Sequence, residues 1–209
     1  MEGLAYLGHL FNKGGLVMYP LMLFSLGAVA IAFERYSYFK ANWKPKDELI
    51  EIIHSALDEQ NWSKAVDMCN KFDTVVSRTI KAGLALAASD NVKTLEIKDA
   101  FEERMSLEVT GMRRHLDYLS AMVTLSPLLG LLGTVTGMIS AFGAMDEGAA
   151  AMAISGGVGE ALVATATGLC VAVIAFLIYT YFNHQYEKVV ADAEHICYFV
   201  LAHRRGERA

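Results

Sequence analysis

The chain has 209 residues, 54% of them hydrophobic and 20% charged. That balance is too apolar for an ordinary soluble domain. The formal net charge of −5, with no basic tract, argues against nucleic acid as a partner.

Residues 1–13 read as a short interfacial helix with Leu4, Leu7 and Phe11 on one side. An uncharged stretch of 20 residues follows, 14–33, between Lys13 and Glu34. It is long enough to span a bilayer. Pro20 falls in its first turns, where a proline costs little. The lead-in has Lys13 against Glu2, and no small-residue cleavage site follows Phe33. The stretch therefore reads as a retained, lipid-facing anchor rather than a cleavable signal.

The charged region 40–117 reads as a small cluster of helical hairpins. Leu49, Ile50, Ile53 and Leu57 recur at helical spacing over 47–59. Trp62, Ala65, Val66 and Cys69 do the same in a second helix, and a third covers 75–88 before the turn signal Ser89-Asp90-Asn91. No glycine-rich phosphate loop is present. From Val92 the stripe Ile97, Phe101, Met105, Val109, Met112, Leu116 and Leu119 runs into a second uncharged stretch, 118–145. It predicts one helix of about 50 residues, roughly 75 Å long. A third uncharged stretch, 161–186, continues through Val189, Ala193, Ile196 and Val200 until Arg204 and Arg205.

Lysines and arginines set the expected orientation. Arg35, Lys40, Arg104, Arg113, Arg114, Lys188, Arg204 and Arg205 all flank one side. The other side has Lys13 and a loop with Asp146 and Glu147. The positive-inside rule gives an outer N-terminus and an inner C-terminus. Tyr36, Tyr38, Phe39, Trp43, Tyr179, Tyr181, Phe182 and Tyr186 gather at the inner boundary. The expected division is 1–39 (N-terminal segment and first span), 40–117 (cytoplasmic), 118–145 (second span), 146–156 (outer loop), 157–186 (third span) and 187–209 (cytoplasmic helix). Cys69, Cys170 and Cys197 read as small hydrophobes without disulfides.

The second span is not built like a plain anchor. Ser126, Gly130, Gly133, Thr134, Gly137 and Ala141 share one helical face of small side chains, with Pro127 beside it. On the third span Gly157, Ala161, Ala164, Thr165, Gly168, Ala172 and Ala175 do the same. Close helix packing accounts for such faces; a polar path accounts for them equally. Counted from the outer loop, Thr134 lies roughly 16 Å below Met145 and Thr165 roughly 12 Å below Gly157, so the two hydroxyls are expected at similar depth. Two hydroxyls at matched depth on such faces can hydrate or coordinate a ligand. Glu160 adjoins the third span on the outer side. It either favours the helix N-terminus or belongs to an ion path. Five residues of helix turn Glu160 away from Thr165, and Thr167 aligns with it better. Either Glu160 has a separate role, or the turn at Gly156, Gly157 and Gly159 is irregular.

Two segments carry a resemblance: Pro127-Leu128-Leu129-Gly130-Leu131-Leu132-Gly133-Thr134-Val135, and Gly159-Glu160-Ala161-Leu162-Val163-Ala164-Thr165-Ala166-Thr167-Gly168-Leu169. Together they resemble the ExbB/TolQ/MotA proton-channel family, nearest its ExbB and TolQ branch; MotA-like members have four spans. The resemblance implies an all-α protein of the bacterial inner membrane, N-terminus periplasmic and C-terminus cytoplasmic. It implies a homopentamer whose lumen holds a dimer of a single-span ExbD- or TolR-like subunit. That partner supplies a protonatable aspartate, and the work passes to a TonB- or TolA-like protein. Thr134, Thr165 and Glu160 take the family's ion-pathway positions, and Ser126, Pro127, Gly130, Gly133, Gly137, Thr167 and Gly168 line or pack the pore. The implied activity is proton conduction that powers outer-membrane transport, without a cofactor and without enzymatic chemistry. A TolQ role in a Tol-Pal system is the alternative. Thr136 and Thr167 depart from the family pattern and leave sodium as a second ion. Two other readings are a non-conducting scaffold and a haem bundle. The positions of His9, His54, His115, His184, His195 and His203, near or beyond helix ends, weigh against haem.

Overall fold

The described residues of the computed structural model, 14–42, 46–59, 61–89, 92–146 and 151–206, form α-helices and no strand. The helix with Leu4, Leu7 and Phe11 falls outside them, as do Trp43, Asp90, Asn91, Glu147 and the side chains of 46–50, 144–146 and 151–155. In chain order the helices are α1 (Met18–Asn42), α2 (Lys46–Asp58), α3 (Trp62–Lys71), α4 (Val75–Ala87), α5 (Thr94–Arg113), α6 (Leu116–Asp146) and α7 (Ala151–Gly206). By length and composition α1, α6 and α7 can each cross a membrane.

The chain divides into two compact units. One takes the chain up to Phe33 together with His115–Tyr181. There α1 packs on α6, with Met122 Cε 3.0 Å from where a Cβ of Gly27 would stand. The other unit takes Glu34–Arg114 and the chain from Phe182 on.

The second unit is assembled from short amphipathic helices with explicit caps. Asn61 starts α3 by accepting from the Lys64 amide at 2.9 Å. Thr74 and Ser77 form a reciprocal capping box at α4, at 3.0 and 3.1 Å. Such caps satisfy amides that have no partner inside the helix. Val75, Ile80, Leu84 and Ala87 of α4 are buried together with Ile97 and Phe101 of α5. Gly83 has no side chain because the Phe101 ring lies where its Cβ would be. The hairpin cluster expected from periodicity is thus present.

The single helix expected from Val92 to Met145 is interrupted. α5 ends at Arg113, Arg114 turns extended with ψ 132°, and His115 takes φ 67° before α6 begins. Left-handed backbone costs a non-glycine residue roughly 1–2 kcal/mol. Arg35 offsets that cost. It is buried, and its Nη1 donates to the carbonyls of Gly111 and Met112 at 3.0 and 3.2 Å. Those carbonyls belong to the last turn of α5, where no helical donor remains, and a cation there suits the helix dipole. Arg35 is therefore a buried helix cap, paired with Glu34.

A second charged network lies in the same unit. Arg78 on α4 holds Glu108 on α5 through two bonds of 2.9 Å, and Arg104 adds a third at 2.6 Å. Glu108 is only 9% exposed. The bond to Glu108 raises the affinity of Arg78 for its proton, against the effect of burial.

The cysteines are free, but only Cys69 is buried; Cys170 is exposed. Burial pushes the Cys69 thiol up to about 12, which leaves it inert. The His54 ring lies against Phe199, at 3.7 Å between ring centres, and 6.1 Å from His195. Burial, and then His195, lower its proton affinity.

Candidate functional site

The seam between α6 and α7 is made by residues that have almost no side chain. Its register follows from where each missing Cβ would go. A Cβ on Gly168 would stand 2.5 Å from the Ser126 carbonyl oxygen and 3.1 Å from Gly130 Cα. On Gly130 it would stand 3.0 Å from Thr165 Cα, on Gly133 2.6 Å from Ala164 Cβ, and on Gly137 2.8 Å from Ala161 Cβ. Gly157 meets Ala141 at 3.0 Å. Numbers rise on α6 as they fall on α7, so the helices run antiparallel with backbones in contact. Ser126, Ala141, Ala161, Ala164, Ala172 and Ala175 are buried along this line. The room that the glycines leave is therefore taken by the chain's own α7, and not held open for a foreign helix. Apolar side chains such as Leu128, Leu131, Val135 and Ile139 are exposed.

The threonine hydroxyls of the two helices serve backbone carbonyls. Thr165 Oγ1 crosses the seam to the Gly130 carbonyl at 2.7 Å. Thr134 donates to Leu131 O at 2.7 Å, Thr136 to Leu132 O at 2.9 Å and Thr167 to Val163 O at 2.8 Å. A hydroxyl has one proton, so Thr134 and Thr165 do not bond each other here. Gly133 meets Ala164 across the seam, and Thr134 and Thr165 are the residues that follow them on antiparallel helices, so the two threonines lie within about 3 Å of each other in depth. Ser126 Oγ is buried with no hydrogen-bond partner among the described residues. Pro127 lies inside α6 and brings no N–H, which deprives the Val123 carbonyl of its helical donor.

Glu160 lies apart from these hydroxyls. α7 is helical through 156–159, so the irregular-turn alternative falls. The half-buried Glu160 carboxylate faces the turn ahead of α1, its Oε1 2.8 Å from the Cβ position of Gly15. Gly15 has φ 68°. Val17 in the same segment reaches the Gly133 side of α6, its Cβ 3.7 Å from that residue's Cβ position. The Gly14-Gly15 pair ahead of the first apolar stretch was the only sequence signal of this contact, and the reading by spans does not use it.

Chemically, the seam holds hydroxyls but no carboxylate. A hydroxyl whose proton is bound to a carbonyl presents its lone pairs. It can accept from a protonated acid or coordinate a cation. No group of three His, Cys, Asp or Glu residues suited to a metal occurs among the described residues.

Comparison with known proteins adds family to geometry. The model of the MotA/TolQ/ExbB proton channel family matches residues 71–195, which contain α6 and most of α7. The chain is similar to the biopolymer transport protein ExbB-like 1 of Synechocystis sp., with 33% identity over 81% of this chain and 67% of that protein. It is also similar to the biopolymer transport protein ExbB of Salmonella typhimurium, with 27% identity over 81% of this chain and 72% of that one. The Tol-Pal system protein TolQ of Pseudomonas aeruginosa shares 26% over 84% of this chain and 80% of its own length. With a family match over more than half the chain, and a seam of the same motif residues in α6 and α7, this is a membrane protein of the MotA/TolQ/ExbB proton channel family.

Proposed function

We propose that the chain is the proton-conducting subunit of an inner-membrane energy-transducing motor of the ExbB–ExbD–TonB type. The observation that carries this reading is the α6–α7 seam, which offers hydroxyl lone pairs and no carboxylate. A proton relay through such a wall needs an acid from another chain. In this reading five copies surround a lumen that holds two copies of an ExbD- or TolR-like single-span subunit with a membrane aspartate. Thr134, Thr165 and Thr167 receive hydrogen bonds from that acid when it is protonated, and Glu160 stands at the outer entrance. Residues 40–117 and 187–209 lie in the cytoplasm, 146–156 in the periplasm, and α1 faces lipid. The transported ion is the proton, and the work passes to a TonB- or TolA-like protein.

Valine substitutions test the relay. Thr134→Val and Thr165→Val keep shape and remove the hydroxyl. In cells that carry only the variant, at wild-type protein level, proton-driven uptake is expected to collapse while the detergent-extracted complex keeps its mass. Normal uptake in the double variant sinks the relay. Replacing sodium by potassium leaves uptake unchanged if the proton is the ion. The Thr165–Gly130 bond favours a second reading, in which Thr165 only glues the helices. That reading requires Thr165→Val to lose complex mass first. A TolQ-like role is the third reading, supported by the similarity to the Pseudomonas aeruginosa protein. It predicts outer-membrane integrity defects instead of loss of uptake.

A further inference from the structure

We propose that Gly15 positions and shields the Glu160 carboxylate, so that the turn ahead of α1 works as a cover over the outer entrance. The inference rests on the proposed ion-path role of Glu160 for its meaning, but the contact itself does not. Three observations carry it. Glu160 Oε1 stands 2.8 Å, and its Cδ 3.8 Å, from the place a Cβ of residue 15 would take. Gly15 has φ 68°, a conformation open to glycine and strained for other residues. The turn is fastened on both sides of this contact. Met18 is buried against Gly14, and Val17 lies against the Gly133 side of α6. A side chain at position 15 therefore meets two obstacles at once, a strained backbone and an occupied space. The carboxylate end is flexible and swings aside, and the strained backbone at position 15 is what favours parting of the turn from it. Glu160 is then a carboxylate under a hinged segment of its own chain, and proton access to it depends on that segment.

Gly159 supplies the control. A Cβ there, next to Glu160 in sequence, meets nothing within 4 Å.

The test uses the full chain in detergent or liposomes and a hydrophobic carbodiimide as the probe. The rate of adduct formation at Glu160 is read by peptide mass. Gly15→Ala is expected to raise that rate about five- to thirtyfold, the shift that left-handed strain imposes on an open–closed equilibrium. Gly159→Ala leaves it near the wild-type rate. An unchanged rate in a folded Gly15→Ala variant overturns the proposal, as does an equal rise in Gly159→Ala. A thermal double-mutant cycle gives a second reading. The destabilisation by Gly15→Ala is expected to shrink when Glu160 is alanine, because the clash is gone; additive losses contradict the contact. Loss of uptake in Glu160→Gln tests the ion path separately. Labelling reports the cover whether or not the path is correct.

Discussion

Gly168→Ala is the sharpest test of the α6–α7 seam. The added methyl would lie 2.5 Å from the Ser126 carbonyl oxygen and 3.1 and 3.2 Å from the Gly130 backbone. Every obstacle is main chain, so no rotamer change relieves it. Ordinary van der Waals contact begins near 3.4 Å. The helices must therefore separate by close to 0.9 Å (3.4 minus 2.5). A displacement of that size stretches the 2.7 Å bond from Thr165 to Gly130 beyond hydrogen-bond range. Overpacking typically costs about 1–3 kcal/mol. The intrinsic helix gain of alanine over glycine, about 1 kcal/mol, offsets part of it. A net loss near 1 kcal/mol lowers the melting temperature by about 2–4 °C in a chain of this size. Gly159→Ala has open space and receives only the gain, so it raises the midpoint. Parallel thermal unfolding of the two variants in detergent decides the matter. If Gly168→Ala melts at or above Gly159→Ala, the register of the seam is wrong.

Three further outcomes follow from the second unit. Arg35→Ala removes the donor to Gly111 and Met112 and is expected to cost about 1.5–3 kcal/mol, with faster amide exchange confined to the α5–α6 junction. Glu108→Gln weakens three bonds to Arg78 and Arg104 and is expected to cost about 1–3 kcal/mol in denaturant unfolding; no loss would show the network to be idle. His54 has its proton affinity lowered in the folded chain. As pH falls through about 6.5, the unfolded chain binds that proton first. The contribution of His54 is thus present above this value and lost as pH falls through the folded one. Stability is expected to decline from pH 7 to 5, and His54→Leu to flatten the decline; a rise on acidification contradicts it.

The parts of the fold that repeat were readable from the chain. Three long apolar stretches and the 3.6-residue stripes of α2, α3 and α4 need only local pattern. The small faces of α6 and α7 were also legible, because small residues at steps of three and four have one geometric meaning. Their use was not. Whether Gly130 and Gly168 face the same chain or another is a tertiary fact. Gly111 is the one break signal along this stretch and lies three residues short of the break at Arg114 and His115, while the buried stripe continues across it through Leu116 and Leu119. Arg35 and Glu108 look like surface charges until their partners, far along the chain, are in place.

The most direct measurement is proton flux in liposomes containing the purified chain, alone and co-reconstituted with its single-span partner, under an imposed pH gradient. The account predicts that the chain alone stays tight, because its seam has no carboxylate, and that the complex conducts until Thr134 and Thr165 are made valine. Conduction by the chain alone, or undiminished flux through the double-valine complex, would contradict it.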